Sequence, residues 1–222
     1  MEISVENEKL IKEYMQSILE VNNNINLTRI TDDHSAEILH LEDSLSILPD
    51  LNKAPEGKYI DLGSGGGFPG VPLGIASGRD TFLIDSVKKK MNAVQQILDD
   101  LNIDNIHSVG ERIEEFAHHH VNEFSVVTAR AVSSLPALLE LASPLMKKGA
   151  HLILMKSHES EQYDKEKALN LLGLKQIDFR EYTLSDDETY RTVYVFEKVA
   201  DHDEKFPRRI GMAQKRPVIA LK

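Results

Sequence analysis

Five glycines in eight residues, Gly63-Ser64-Gly65-Gly66-Gly67-Phe68-Pro69-Gly70, follow directly on the apolar stretch Tyr59-Ile60-Asp61-Leu62. Few folds have a use for such a run. Glycine weakens the interior of a helix or strand, so a cluster this dense belongs to a sharp turn that lets a ligand reach the backbone. Pro69 suits the first turn of a following helix, where its missing N–H has no partner to lose. The free N–H groups at that helix start favour an anionic ligand group. Strand, glycine loop, helix is the expected local order. Asp61, two residues before the first glycine, and Asp85, at the end of the next apolar stretch, are its candidate acids.

The chain downstream repeats this order. Strands are expected at residues 58–62, 81–85, 105–109, 124–128 and 150–155, with helical patterning between them, including 88–101 and 135–146. Such alternation implies a parallel sheet covered on both faces. Two further strands, at 174–183 and 192–198, are separated by a short acidic turn. That turn is too short for a parallel crossover, so the pair must be antiparallel. Upstream, Leu10, Ile11, Tyr14, Met15, Ile18 and Val21, then Ile38, Leu39, Leu41, Leu45 and Leu48, recur at helical spacing, with a break at Asn22-Asn23-Asn24. The expected fold is α/β and Rossmann-like, of the S-adenosylmethionine-dependent methyltransferase type. It has a seven-stranded, mostly parallel sheet with a terminal antiparallel hairpin, plus an N-terminal helical extension. The expected division is a helical cap at 1–56, with Pro49 and Pro55 bracketing its linker, a Rossmann-like domain at 57–200 and a basic tail at 201–222.

Two cofactors compete for the loop. Gly65, Gly67 and Gly70 fit the dinucleotide pattern G-x-G-x-x-G, which alone is weak. Asp61 with Gly63, Gly65 and Gly67 fits D-x-G-x-G-x-G instead, in which the loop faces the methionine portion of S-adenosylmethionine. With the terminal hairpin, this favours the methyl donor over NAD. Ligands of open α/β sheets bind at the carboxyl ends of strands. Those ends supply Gly63, then Asp85 as the usual ribose acid, then Gly110 to Glu114, then Thr128 to Val132 with Arg130, then Lys156-Ser157. Glu114 is placed either to accept from the adenine amino group or to stand solvated at a helix start. Arg130 and Lys156, near a sulfonium, call for a methionine carboxylate or a nucleic-acid phosphate, unless each is an ordinary surface ion pair.

The sequence contains no cysteine. That removes disulfides, thiolate metal sites and thiol nucleophiles, and with them pyrimidine C5 methylation through a cysteine adduct. The Pro-Pro-aromatic motif of amino methylation is missing from the fourth strand end, where Arg130-Ala131-Val132 stands, and so are ligands for zinc-assisted thiol methylation. What remains is attack by an atom already nucleophilic at neutral pH, with no side chain nominated as a catalytic base. His118-His119-His120 would point in different directions on a helix. It reads as a solvated run, and no metal is expected.

The formal net charge of −10 argues against a nucleic-acid partner, but its distribution does not. Residues 205–222 carry six basic side chains and no acid, leaving 20 basic against 36 acidic elsewhere. Arg208 and Arg209 in this tail, with Arg130 and Lys156, form the candidate RNA-binding set. No apolar run is long enough to span a membrane, and Met1-Glu2-Ile3-Ser4 does not open a signal segment, so a cytoplasmic chain without membrane contact is expected. A length of 222 residues suits one substantial domain, expected as a monomer. Three rival readings are a small-molecule methyltransferase, an NAD-dependent oxidoreductase and a noncatalytic RNA-binding module. The basic tail speaks against the first. The second lacks a placeable Tyr-Lys or His-Asp set.

Taken together, Asn26-Leu27-Thr28, His40-Leu41-Glu42-Asp43-Ser44, the 61–72 loop, Leu83-Ile84-Asp85-Ser86, Thr128-Ala129-Arg130-Ala131-Val132 and Phe206-Pro207-Arg208-Arg209 resemble one family over nearly the whole chain. It is the bacterial ribosomal small-subunit methyltransferase G family, also called glucose-inhibited division protein B. The resemblance implies methylation of N7 of a guanine in the 530 loop of 16S rRNA, acting on the rRNA or the small ribosomal subunit. It also implies cofactor contacts from Gly63, Phe68, Ile113, Glu114 and Arg130. Two positions depart from the pattern: Glu42, where the family usually has an apolar residue, and Ser157, where it often has glycine.

Overall fold

Strand β1 (Tyr59–Leu62) is buried along its whole length, as a central parallel strand covered on both faces must be. The computed structural model describes residues 3–22, 25–130, 132–157 and 161–220; Met1, Glu2, Asn23, Asn24 and Ala131, named above, and Lys222, the last of the six tail cations, lie outside them. The other strands are β2 (Thr81–Ile84), β3 (Ile106–Val109), β4 (Phe124–Arg130), β5 (Met146–Lys156), β6 (Leu174–Thr183) and β7 (Tyr190–Lys198). Their order in the sheet is β3-β2-β1-β4-β5-β7-β6. The first five are parallel, and β7 runs antiparallel to both β5 and β6. This is the expected plan. Strand order reverses between β1 and β4, which is where ligands collect in open α/β sheets.

Side chains alternate along each strand and so divide the core into two layers. Val126, Ile153, Met155, Val193 and Val195 face one side; Val127, Ala129, Leu152, Leu154 and Phe196 face the other. Helices Val5–Asn22, Gly70–Ser77 and Lys88–Asp100 cover the first layer, and Ile113–His119, Leu135–Ala142 and Lys165–Leu172 the second. Ile11, Tyr14, Met15 and Ile18 form a single buried stripe, so the first helix packs on Gly70–Ser77 and Lys88–Asp100.

The segment expected to continue as one helix through Leu48 is less regular. It runs α over Asp33–Ala36, widens to a π-turn over Glu37–Glu42 and returns to α geometry over Asp43–Leu45. Such turns concentrate at functional sites, and here His40 and Asp43 are both buried. The same segment is laced to the terminal hairpin. Glu42 accepts from the Ser185 N–H and hydroxyl, Ser46 shares a proton with Tyr182, and Asp50 accepts from Arg180. Glu42, the departure from the family pattern, thus holds the β6–β7 turn against the cap.

One expectation needs correction. The helix expected at 135–146 ends at Ala142, because Pro144 has no N–H to continue it; a 3-10 turn follows and β5 begins at Met146. The basic tail is packed on the domain over residues 201–220. Phe206, Ala213 and Ile219 are buried in the second layer, and the Asp164 N–H donates to the Ile219 carbonyl at 2.8 Å. These apolar residues, spaced between the cations, dock the segment.

Candidate active site

The glycine loop is fixed from beneath by Asp61, which is 1% exposed. Its Oδ1 accepts from Thr128 Oγ1 at 2.6 Å, and Thr128 in turn accepts from the Tyr59 hydroxyl at 2.7 Å. Its Oδ2 accepts from the Gly70 N–H at 3.2 Å. The helix start that was expected to receive a ligand anion is therefore already served by a carboxylate of the chain. Burial pushes the Asp61 carboxyl up to about 6, opposed by the Thr128 hydrogen bond and the Arg130 charge.

Gly63, Gly65 and Gly67 all have positive φ, but their surroundings differ. A Cβ on Gly67 would stand 2.3 Å from the Tyr14 hydroxyl, and one on Gly63 would stand 2.5 Å from Val132. At Gly65 the nearest atom is 3.9 Å away, so that position faces open space. Asp85 joins the loop to the end of β2, its Oδ2 accepting from the Gly65 N–H at 3.2 Å and its Oδ1 from the Val87 N–H at 2.9 Å.

Beside Asp85 opens a cleft of about 530 Å³, lined by Gly63, Ile84, Asp85, Ile113, Glu114 and Val132, and by Gly211, Gln214 and Lys215 of the C-terminal segment. Its size is usual for a small-molecule site. Its chemistry fits S-adenosylmethionine: apolar Ile113 for a face of a purine, the Asp85 carboxylate for ribose hydroxyls and a glycine backbone at Gly63. Glu114 is buried rather than solvated, and one of its carboxylate oxygens is taken. It is 5% exposed, and its Oε1 accepts from the Gly211 N–H at 2.8 Å.

Phe68 does not line this cleft. It is buried under the cap, stacked on His40 with ring centroids 4.2 Å apart, and tilted against Tyr14. His40 Nε2 lies 2.9 Å from Thr28 Oγ1, and Nδ1 lies 3.5 Å from Arg130 Nη2. Burial, reinforced by the Arg130 charge, lowers this imidazole to about 3, so it is neutral.

Arg130 and Lys156 come together at a second cavity of about 180 Å³, with Arg191 beside them. Arg130 Nη1 donates to Asp43 Oδ2 at 2.8 Å and to the Leu39 carbonyl at 2.7 Å; Arg191 Nε donates to Asp43 Oδ1 at 2.9 Å. The anionic partner anticipated for Arg130 is thus a residue of the cap, and the pair is buried rather than superficial. Lys156 Nζ pairs with Glu161 at 2.6 Å and donates to the Ser133 carbonyl at 2.6 Å. Arg191 was not foreseen, since an arginine at the head of a strand carries no distinguishing signal.

Arg208 is not available to a phosphate. Its guanidinium forks onto both oxygens of Glu140, Nη2 at 2.7 Å from Oε2, and donates to the Arg216 carbonyl at 2.8 Å. Arg209 is exposed, with no side-chain partner among the described residues. In the histidine run, His120 stacks on Phe116 and lies 2.6 Å from Glu123, while His118 and His119 are exposed.

Comparison with known proteins agrees with this geometry. A family model described as rRNA small subunit methyltransferase G matches residues 7–189. A protein of Oenococcus oeni named ribosomal RNA small subunit methyltransferase G is 36% identical, covering 97% of this chain and 92% of its own. One of the same name from Listeria welshimeri is 32% identical, covering 98% and 94%. A solved S-adenosylmethionine-dependent methyltransferase from Aquifex aeolicus is similar with a TM-score of 0.54 at 17% identity, over 82% of this chain and 98% of that one. The YcgJ protein of Bacillus subtilis gives 0.55 at 10% identity, over 72% and 100%. These two structures speak to fold alone.

Proposed function

The chain belongs to the rRNA small subunit methyltransferase G family, and from that premise we propose that it moves the methyl group of S-adenosylmethionine to N7 of a guanine in the 530 loop of 16S rRNA. The observation that carries this reading is the cleft at the reversal of strand order, where Asp85 holds the glycine loop through the Gly65 amide.

S-adenosylmethionine supplies an electrophilic methyl group when bound. Asp85 would receive the ribose hydroxyls, Ile113 would lie against the adenine, and Gly63 and Gly65 would let the methionine portion approach the backbone. Phe68 and Glu114 act indirectly, the first by seating the loop under the cap and the second by holding the C-terminal segment. Guanine N7 presents a lone pair and no proton, so the chain needs no general base and works by alignment and electrostatics. Two titratable groups near the loop fit that role: Asp61 is engaged by Thr128 and Gly70, and His40 is neutral under the cap. Arg130 and Lys156 line the smaller cavity and meet RNA there, and Arg209 adds an exposed contact. We place the protein in the cytoplasm as a monomer. Residues 1–56 act as cap, 57–200 as the methyl-transfer domain and 201–222 as a closing segment.

The test is methylation of purified small subunits and of naked 16S rRNA with labelled S-adenosylmethionine, mapped by mass spectrometry. One 7-methylguanine in the 530 loop is expected. Label at another atom, or in no rRNA fragment, overturns the assignment.

A further inference from the structure

The C-terminal segment meets the cofactor cleft, and nothing in the glycine-loop chemistry requires it to. Three observations fix its position. Phe206, Ala213 and Ile219 are buried against the layer that contains helix Leu135–Ala142. Arg208 forks onto the buried carboxylate of Glu140, whose Oε2 also accepts from the Val218 N–H at 3.3 Å, so a single acid gathers both ends of the segment. Between those anchors the chain turns at Gly211, with φ of 75°, and the Gly211 N–H is held by Glu114. The turn brings Gln214 and Lys215 to the wall of the cleft that Asp85 and Ile113 also line.

We propose that residues 206–219 form the adenosine-side wall of the cofactor cleft, with Gln214 as the side chain that meets the edge of the purine and Glu114 and Arg208 as positioning residues. The proposal rests on the reading that this cleft holds S-adenosylmethionine. Ile113 offers only apolar surface, which suits the face of a purine but not its edge. Adenine presents an amino donor beside ring-nitrogen acceptors, and a carboxamide carries the matching acceptor and donor. Ser86, Glu111 and Arg112 line the cleft as well, and Gln214 is the carboxamide among its lining residues. Glu114 already gives one carboxylate oxygen to the Gly211 amide, and a carboxylate, which only accepts, does not match a donor–acceptor edge.

The experiment uses the full chain and S-adenosylhomocysteine, with calorimetric titration and amide hydrogen exchange as readouts. In the wild type, the ligand should slow exchange across residues 208–217. Gln214→Ala with Lys215→Ala, both exposed, should weaken binding about tenfold, the loss of one to two hydrogen bonds, with an unchanged melting temperature. Glu114→Ala should weaken binding and speed exchange of 208–217 even without ligand, whereas Glu114→Gln, which keeps an acceptor oxygen, should restore both. If Glu114→Ala does not fold, the exposed double variant decides. Ligand binding that leaves exchange of 208–217 unaltered, or a double variant within twofold of wild type, overturns the proposal while leaving the cofactor reading intact. A wild type that does not bind the ligand at all overturns both.

Discussion

The guanidinium of Arg130 leaves the carboxyl end of β4 and meets the carboxylate of Asp43 at 2.8 Å, across 87 residues of sequence. Arg191 takes the other oxygen of the same carboxylate. Asp43 is completely buried, and through it the cap, the strand end beside the glycine loop and the terminal hairpin share one electrostatic joint. Removing the acid leaves two arginines without their partner in a largely dry setting. Breaking a buried pair of this kind costs about 3 kcal/mol or more. Asp43→Ala should therefore lower the melting temperature by about 6–12 °C for a chain of this size, measured by scanning calorimetry. A shift of under 2 °C would mean that the joint is slack.

Acid titration should separate His40 from Asp61, because their shifts have opposite signs. His40 falls from 6.5 to about 3 on folding. The unfolded chain therefore binds the extra proton between those values, and stability is lost as pH falls from 6.5 toward 3. Asp61 rises from 3.8 to about 6. The folded chain binds the extra proton, and its contribution is lost as pH rises from 3.8 to 6. Between pH 4 and 6 the two effects oppose each other. Denaturant unfolding across that window should show His40→Gln gaining on wild type as pH falls and Asp61→Asn gaining as pH rises. Parallel curves for all three proteins would refute the opposed shifts.

Gly65→Val should abolish cofactor binding while sparing the fold. Space around the Cβ is open, so no neighbour is displaced; the φ of 57° costs a branched residue about 1–2 kcal/mol. The expected result is at least a hundredfold loss of S-adenosylhomocysteine affinity, with a cooperative melt a few degrees lower. Unchanged affinity would place the cofactor elsewhere.

Arg208 and Arg209 are neighbours with opposite expected phenotypes. Arg208→Ala strands Glu140 in the core and should cost about 3 kcal/mol of stability. Arg209→Ala should leave stability unchanged and weaken rRNA binding. It should also make the log–log salt dependence shallower by about one unit if its charge meets a phosphate. Filter binding at several salt concentrations checks the second, and equal effects of the two variants on stability would contradict the assignment.

What the sequence makes legible is what local signals encode. The glycine loop, the alternation of strands and helices and the antiparallel last hairpin each follow from spacing within a few tens of residues, and all appear in the sheet. Asp85 and Ile113 reach the cleft for the same reason: both follow the ends of parallel strands. The partners of the charged residues are not legible. Arg191 finds Asp43 across 148 residues, Gly211 finds Glu114 across 97, and Arg208 finds Glu140 across 68. A run of cations reads as a nucleic-acid arm until its acids are located, and those acids lie elsewhere in the chain. The π-turn at Glu37–Glu42 is hidden differently, since six residues are too few to separate its period from that of an ordinary helix.

The bond from the Gly70 amide to Asp61 bears on which metabolites the protein refuses. Folds of this shape commonly seat a diphosphate on the first amides of the helix after the loop. Here that seat is filled by a carboxylate that is mostly ionised at neutral pH. A nicotinamide or flavin dinucleotide arriving with two phosphates would meet a fixed negative charge where it needs donors. A sulfonium ligand brings a positive charge to the same neighbourhood and is welcome. Asp61 therefore puts a carboxylate of the chain itself where a diphosphate would need donors.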